Sequence, residues 1–128
     1  AIISFLEDNE SIINIQKLID QESKEIAKSK KDTSETRKQR IAQSEKRPKR
    51  LRVYSYTYRR NPDVVAEALL RANGVCESCS NPAPFSRASD STPFLEVHHV
   101  KSLSDGGEDT LDNVIALCPN CHREKHYG

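Results

Sequence analysis

Four cysteines fall in two Cys-x-x-Cys pairs, Cys76/Cys79 and Cys118/Cys121, with 38 residues between the pairs and no other cysteine in the chain. The four histidines, His98, His99, His122 and His126, all lie within 29 residues, between the pairs and just after them. Two thiol pairs make a complete four-thiolate set, which Zn²⁺ takes up as a closed tetrahedral structural site. With sulfur filling that site, the imidazoles are left for a second centre of different character. His122 and His126 stand four residues apart, so on a helix their rings share one face about one turn from each other, a separation that suits two ligands of one metal. Cys121 is rotated by about 100° from His122 around the same helix and can face a different ion. His98 and His99 are adjacent, and in a strand they point to opposite sides, so one can bind metal while the other stays free.

Other uses of these residues are weaker. Redox Cys-x-x-Cys motifs go with a βαβ pattern, which accompanies neither pair. His122 or His126 can replace a cysteine in a three-Cys, one-His site, but four cysteines already complete the set. A lone histidine beside a zinc knuckle is usually surface decoration. That account fits poorly a chain whose histidines are all clustered, two on one helical face and two side by side in a strand.

The elements that must carry these ligands are legible from local patterns. Asn61-Pro62-Asp63 reads as a helix start, with Asn as N-cap and Pro at the first helical position. Val64, Val65, Ala68, Leu69 and Ala72 give its buried stripe, and Asn73-Gly74 closes it, so the helix delivers Val75-Cys76 into the first knuckle. Phe94 to Val100 and Asn113 to Leu117 read as two strands of a long hairpin, joined by a loop that holds Asp105-Gly106-Gly107. Pro119 opens a short helix over Asn120 to His126. Upstream, Val53 to Tyr58 alternates β-branched or aromatic residues with small polar ones, as a short strand or extended segment does. Tyr54, Tyr56 and Tyr58 then suit one side of a packed strand better than base stacking. From Ile2 to about Lys31, Ile12, Ile15, Ile19 and Ile26 recur near helical spacing, so a helix is expected there; the heptad pattern is too short to define a coiled coil. Lys28 to Arg52 is charged, Ser/Thr-rich and nearly free of aliphatics, which reads as a flexible linker or arm.

Composition bounds the whole. With 128 residues, 35% of them hydrophobic and no Trp or Met, the chain has room for one domain and a tail, and its apolar core must be small. The free-cysteine pattern and the lack of any apolar run that reads as a signal peptide or membrane span point to the reducing cytoplasm and to metal rather than disulfides. The net charge of +1 hides an asymmetry: residues 1 to 60 carry 15 Lys and Arg against 9 Asp and Glu, and residues 61 to 128 carry 5 against 10. Ten basic residues and one acid lie between Arg37 and Arg60. That stretch, with Lys46, Arg47, Lys49, Arg50, Arg52, Arg59 and Arg60, is the candidate phosphate-contacting arm, and a solvated linker is the alternative. The expected organisation is a helical and then basic segment over residues 1–52, followed by a zinc-stabilised α+β domain over residues 53–128.

Leu95-Glu96-Val97-His98-His99-Val100, then Asp112-Asn113, then Cys118-Pro119-Asn120-Cys121-His122 with His126, resemble in that order the HNH endonucleases. The active site of that family is a two-stranded hairpin and a helix around one metal, the ββα-metal fold. In texture the chain is similar to the McrA-like restriction nucleases, in which paired Cys-x-x-Cys knuckles hold the same elements. The resemblance covers about Asn61 to Gly128, and residues 1 to 60 resemble no family on their own. It implies His99 as general base, His98, His122 and His126 as ligands of a catalytic metal, and Asn113 as the residue that fixes the loop and orients His99. Many family members have Asp where His98 stands, and an all-nitrogen set suits Zn²⁺, Ni²⁺, Co²⁺ or Mn²⁺ better than Mg²⁺. Asn113 read alone is a turn residue after Asp112. The implied function is metal-dependent hydrolysis of DNA in restriction or defence, with structural Zn²⁺ and one catalytic divalent metal. Cutting both strands would need a homodimer or repeated action. The alternative is a zinc-stabilised nucleic-acid-binding or interaction module without catalysis, which leaves the histidines no task.

Overall fold

The computed structural model describes residues 12–128. The chain divides into two compact units, Ala1–Thr57 and Tyr58–Gly128. In the first, strand β1 (Ile12–Asn14) runs into helix α1 (Ile15–Lys30), and helix α2 (Ser34–Gln43) and strand β2 (Arg52–Tyr54) follow. Strand β2 pairs in parallel with β1, Ile13 opposite Val53. Asn14 caps α1 by accepting from the N–H groups of Gln16 and Lys17. Of the expected first helix, residues 2–11 lie outside the described residues and Ile12–Asn14 is strand instead, because it pairs with β2, so the helix begins at Ile15.

Two further sequence expectations change here. The stretch read as a flexible linker contains α2. No apolar stripe drives this helix, which has no buried residue and whose Ile41 is 69% exposed. Its order comes from Thr33, which caps it by accepting from Thr36, and from Arg37 and Arg40. Arg37 donates to the Ser29 and Asp32 carbonyls, and Arg40 pairs with Asp32 at 2.6 Å. The expected strand over Val53 to Tyr58 is shorter, since only Arg52–Tyr54 finds a partner. Tyr54, Tyr56 and Tyr58 are all exposed, so they are not one side of a packed strand.

In the second unit, helix α3 (Pro62–Ala72) begins as its sequence dictates: Asn61 accepts from the Asp63 N–H, Pro62 fills the first turn, and Asn73 ends it in the left-handed region at φ 51°. Strands β3 (Glu96–His99) and β4 (Val114–Leu117) pair antiparallel, with Glu96 opposite Leu117, Val97 opposite Ala116, His98 opposite Ile115 and His99 opposite Val114. Helix α4 (Pro119–Tyr127) closes the chain. Successive residues of a strand face opposite sides. One side of the hairpin therefore carries Val97 and Val114, which pack with Ala68, Val64, Val65 and Leu69 of α3. The other side carries Glu96 and His98 toward α4.

Among the described residues eight hydrophobic side chains are buried: Ala68, Cys76, Leu95, Val97, Val114, Ala116, Leu117 and Cys118. Two of the eight are knuckle thiols, packed with Leu95, Ala116 and Leu117. A core this small does not hold a domain by itself. An Arg71–Glu77 pair ties its parts together: Arg71 grips both carboxylate oxygens at 2.8 and 2.9 Å and donates to the Leu111 and Val114 carbonyls. Glu77 in turn accepts the Ala116 N–H at 2.9 Å. One bidentate pair thus links α3, the first knuckle and β4. No helix among the described residues is long and apolar enough to cross a membrane.

Candidate metal centres and active site

The first knuckle is a tight turn in which Cys76 N–H donates to Asn81 O and Ser80 N–H to Cys76 O, with Ser80 at φ 63°. The second is the N-terminus of α4: Cys118 is the N-cap, its sulfur accepting from the Cys121 N–H at 3.5 Å, and Pro119 follows in the first turn. The Glu77 N–H bond to Ala116 O brings the knuckles together. The Sγ atoms of Cys76, Cys79, Cys118 and Cys121 all lie within 4.8 Å of one another, those of Cys79 and Cys118 at 3.9 Å. A tetrahedral site with Zn–S bonds of about 2.3 Å sets its sulfurs about 3.8 Å apart, so this donor set fits Zn²⁺.

Thiol electrostatics agree. Burial opposes ionisation of Cys76, but N–H groups of Cys118, Cys79 and Ser78 outweigh it and lower the thiol to about 6. Cys121 is pushed up to about 12 by its hydrogen bonds to Cys118 and Cys79, by burial and by the neighbouring Cys76 charge. Four thiols this close share their charge badly until a cation compensates it, and a divalent ion is the compensation they suit.

The imidazoles form a separate group. The ring centroids of His98, His122 and His126 make a triangle with sides of 5.2, 4.9 and 4.8 Å. One ring nitrogen from each lies within 4.8 Å of the others. His122 Nε2 and His126 Nε2 are 3.0 Å apart. Metal–nitrogen bonds of about 2.0–2.1 Å place neighbouring donors about 2.9–3.4 Å apart in tetrahedral to octahedral sites, so these residues fit one divalent ion. Burial, and then the neighbouring His126 and His122, lower the pKa of His98, which favours the neutral form a metal ligand needs. On the far side of His122, Nδ1 faces Glu96 Oε2 at 3.4 Å.

His99 faces away from this triangle, toward the start of α3. Its Nε2 lies 2.8 Å from Asp109 Oδ1, and its side chain is 10% exposed. Asn113 clamps the loop that leaves β3: its side chain accepts from Lys101 N–H and donates to the carbonyls of Lys101 and Glu108 at 3.0 and 2.7 Å. Gly107 lies in the same loop, where an added Cβ would collide with the Lys101 carbonyl. Of the basic arm, Lys46, Arg47, Lys49, Arg50 and Arg52 lie in the first unit and Arg59 and Arg60 in the second, all exposed. Arg60 also donates to the Val97 carbonyl of β3 at 3.3 Å.

Sequence reasoning assigned no role to Asp109, Glu96, Arg71 or Glu77. Strand alternation had placed Glu96 on the same side as His98, a signal that was available. Asp109 had none, being one acid in a polar loop ten residues from its partner.

A hairpin and helix that converge three imidazoles, with His99 beside His98 on β3, form a ββα-metal arrangement. Residues 76–128 match the HNH endonuclease family model. Among curated proteins, it is 42% identical over 123 residues to the type IV methyl-directed restriction enzyme EcoKMcrA of Escherichia coli (strain K12). That match takes in 94% of this chain and 38% of the relative, so the chain spans about two-fifths of that protein's length. It reaches well into the residues upstream of Asn61. Anaredoxin of Nostoc sp. is 42% identical over 31 residues, 24% of this chain and 41% of that protein. Among solved structures, the type IV phosphorothioation-dependent restriction endonuclease ScoMcrA is 40% identical, with a TM-score of 0.47, over 54% of this chain and 13% of its own.

Proposed function

We propose that the chain is the nuclease portion of a restriction or defence enzyme that hydrolyses DNA phosphodiesters. The observation that carries this is the imidazole triangle of His98, His122 and His126, set beside His99 on one strand. A zinc-stabilised binding module without catalysis gives that triangle no task.

His99 acts as general base. It takes a proton from water, the water oxygen forms a bond to phosphorus, and the P–O3′ bond breaks to leave a 5′-phosphate and a 3′-hydroxyl. His99 is the last residue of β3, where the strand opens into the loop. His98, His122 and His126 hold a divalent ion, which when bound supplies positive charge beside the phosphate and the leaving oxygen. Asn113 keeps the loop in place. Cys76, Cys79, Cys118 and Cys121 hold structural Zn²⁺. One such centre cuts one strand, so double-strand cleavage takes a homodimer or two events.

The acidic half of the chain does not attract DNA by its net charge, so Lys46, Arg47, Lys49, Arg50, Arg52, Arg59 and Arg60 supply the phosphate contacts. Removing residues 1–52 then weakens DNA binding and flattens its dependence on salt; undiminished binding assigns that stretch to a linker. The direct test of the enzyme is supercoiled plasmid incubated with EDTA, Mg²⁺, Mn²⁺, Co²⁺ or Ni²⁺. Cleavage is expected with the borderline metals and not with EDTA, and His99→Ala is expected to abolish it while zinc content and DNA binding persist. Undiminished cleavage by that variant removes His99 as base.

A further inference from the structure

One carboxylate of the loop is held from two sides. Asp109 accepts the Asn61 N–H through Oδ2 and meets His99 Nε2 through Oδ1 at 2.8 Å. Asn61 is the N-cap of α3, so Asp109 is anchored to the start of a rigid helix rather than carried loosely by its loop. The Asn61 N–H, and then the His99 ring, hold its carboxyl below the usual range, so at neutral pH it is an anion that can only accept. Against an acceptor, a neutral imidazole must present N–H: Nε2 carries the proton and Nδ1 keeps the lone pair.

We propose that Asp109 is the positioning residue of His99, fixing the Nε2–H tautomer and the ring orientation that present Nδ1 to the attacking water. The inference rests on the reading of His99 as base. The water proton passes to Nδ1 and leaves an imidazolium whose Nε2–H still bonds to Asp109. The water oxygen forms its bond to phosphorus, the departing O3′ keeps the electron pair of the broken P–O3′ bond and takes a proton from solvent, and Nδ1 later returns its own proton to solvent. Asp109 stays ionised throughout and stabilises the imidazolium charge.

A purely structural Asp109 would serve only to tie the loop to α3, and Asp109→Asn separates the two roles. The amide oxygen still accepts from Asn61, but the NH₂ group turned to His99 demands an acceptor at Nε2 and drives the ring proton to Nδ1. The experiment records ring ¹⁵N shifts of the zinc-replete full chain labelled at histidine, with plasmid cleavage in Mn²⁺ alongside. In the parent His99 is expected as the Nε2–H tautomer. In Asp109→Asn it is expected as Nδ1–H, with cleavage down by roughly 10²–10⁴-fold and an unchanged melting temperature. Asp109→Glu is expected to restore Nε2–H and part of the rate.

A parent ring protonated at Nδ1, or an Asp109→Asn variant that keeps the parent tautomer or rate, overturns the proposal. If His99→Ala is inactive while Asp109→Asn cuts normally, the positioning role alone falls. If His99→Ala cuts normally, the base assignment falls first and takes this inference with it. Should Asp109→Asn fail to fold, the parent tautomer and the Asp109→Glu variant still decide.

Discussion

Cys118 and Cys121 lie at the start of α4, Cys118 8% exposed and Cys121 half-buried, whereas His122 and His126 continue the same nine-residue helix on another face, His122 half-buried and His126 exposed. The two ligand sets differ in donor, burial and neighbours. Cys76 and Cys118 sit among Leu95, Ala116 and Leu117 and stand in for apolar side chains the domain lacks, Cys121 is half-buried against them and Cys79 is exposed. Imidazole sits at the rim, beside a carboxylate and the mouth of a loop. About 100° of helical rotation between adjacent residues is enough to separate them. A domain this small can therefore keep two clusters of metal-competent donors apart on one helix, one with two of its donors buried in the core and the other with none fully buried.

The hardest test of that contrast is Cys118→Ala. It removes a proposed zinc ligand, a core residue and the N-cap of α4 together. Structural Zn²⁺ contributes on the order of 10 kcal/mol to folding in small domains, so the hairpin and α4 are expected to lose their structure. Circular dichroism and zinc content check this; a zinc-free variant that melts like the parent would refute the structural role. His126→Ala is the counterpart on the other face. His126 is exposed, so the expected cost in stability is within about 0.5 kcal/mol. Its effect should appear instead as loss of the second bound ion and of cleavage, with one zinc per chain retained by elemental analysis. A large drop in melting temperature would erase the distinction between the clusters.

How much of this the sequence showed follows from the range over which each interaction acts. Both knuckles, the His122/His126 pair and the Asn61-Pro62 helix start are local, and metal ligation and capping impose their spacing on neighbouring residues. The hairpin was legible as two short runs rich in strand-forming residues, Phe94 to Val100 and Asn113 to Leu117, on either side of a loop holding Asp105-Gly106-Gly107. Helix α2 was not, because Thr33, Arg37 and Arg40 order it through caps and side-chain bonds without a buried stripe. Nor was the shortness of β2, whose pairing ends where its partner β1 turns into α1. The partners least visible were those that meet across the fold, Arg71 with Glu77 and Val114, and His99 with Asp109. Such pairs leave no periodicity to read.

The finest test concerns what holds the reactive cluster in shape. The sulfurs of Cys76 and Cys118 already receive N–H groups from the knuckles. An imidazole has a second nitrogen, and the ring of His122 can turn unless that nitrogen is engaged. Glu96 is placed to engage it: it shares the α4 side of β3 with His98, and its Oε2 lies 3.4 Å from His122 Nδ1. A carboxylate on the far nitrogen fixes the ring and strengthens the ligating one, and its loss costs about 10–100-fold in metal affinity where such pairs have been removed. Glu96→Gln keeps the size and removes the charge, so it should weaken ion binding at the imidazoles by about that factor. The Cys-bound zinc and the melting temperature should stay at the parent values. Titration with Co²⁺ reads the two sites separately, since thiolate and imidazole ligation give different visible spectra. Unchanged affinity at the imidazole site would mean that β3 and α4 alone set the triangle, and a shift at the thiolate site would mean that the two clusters are coupled through α4.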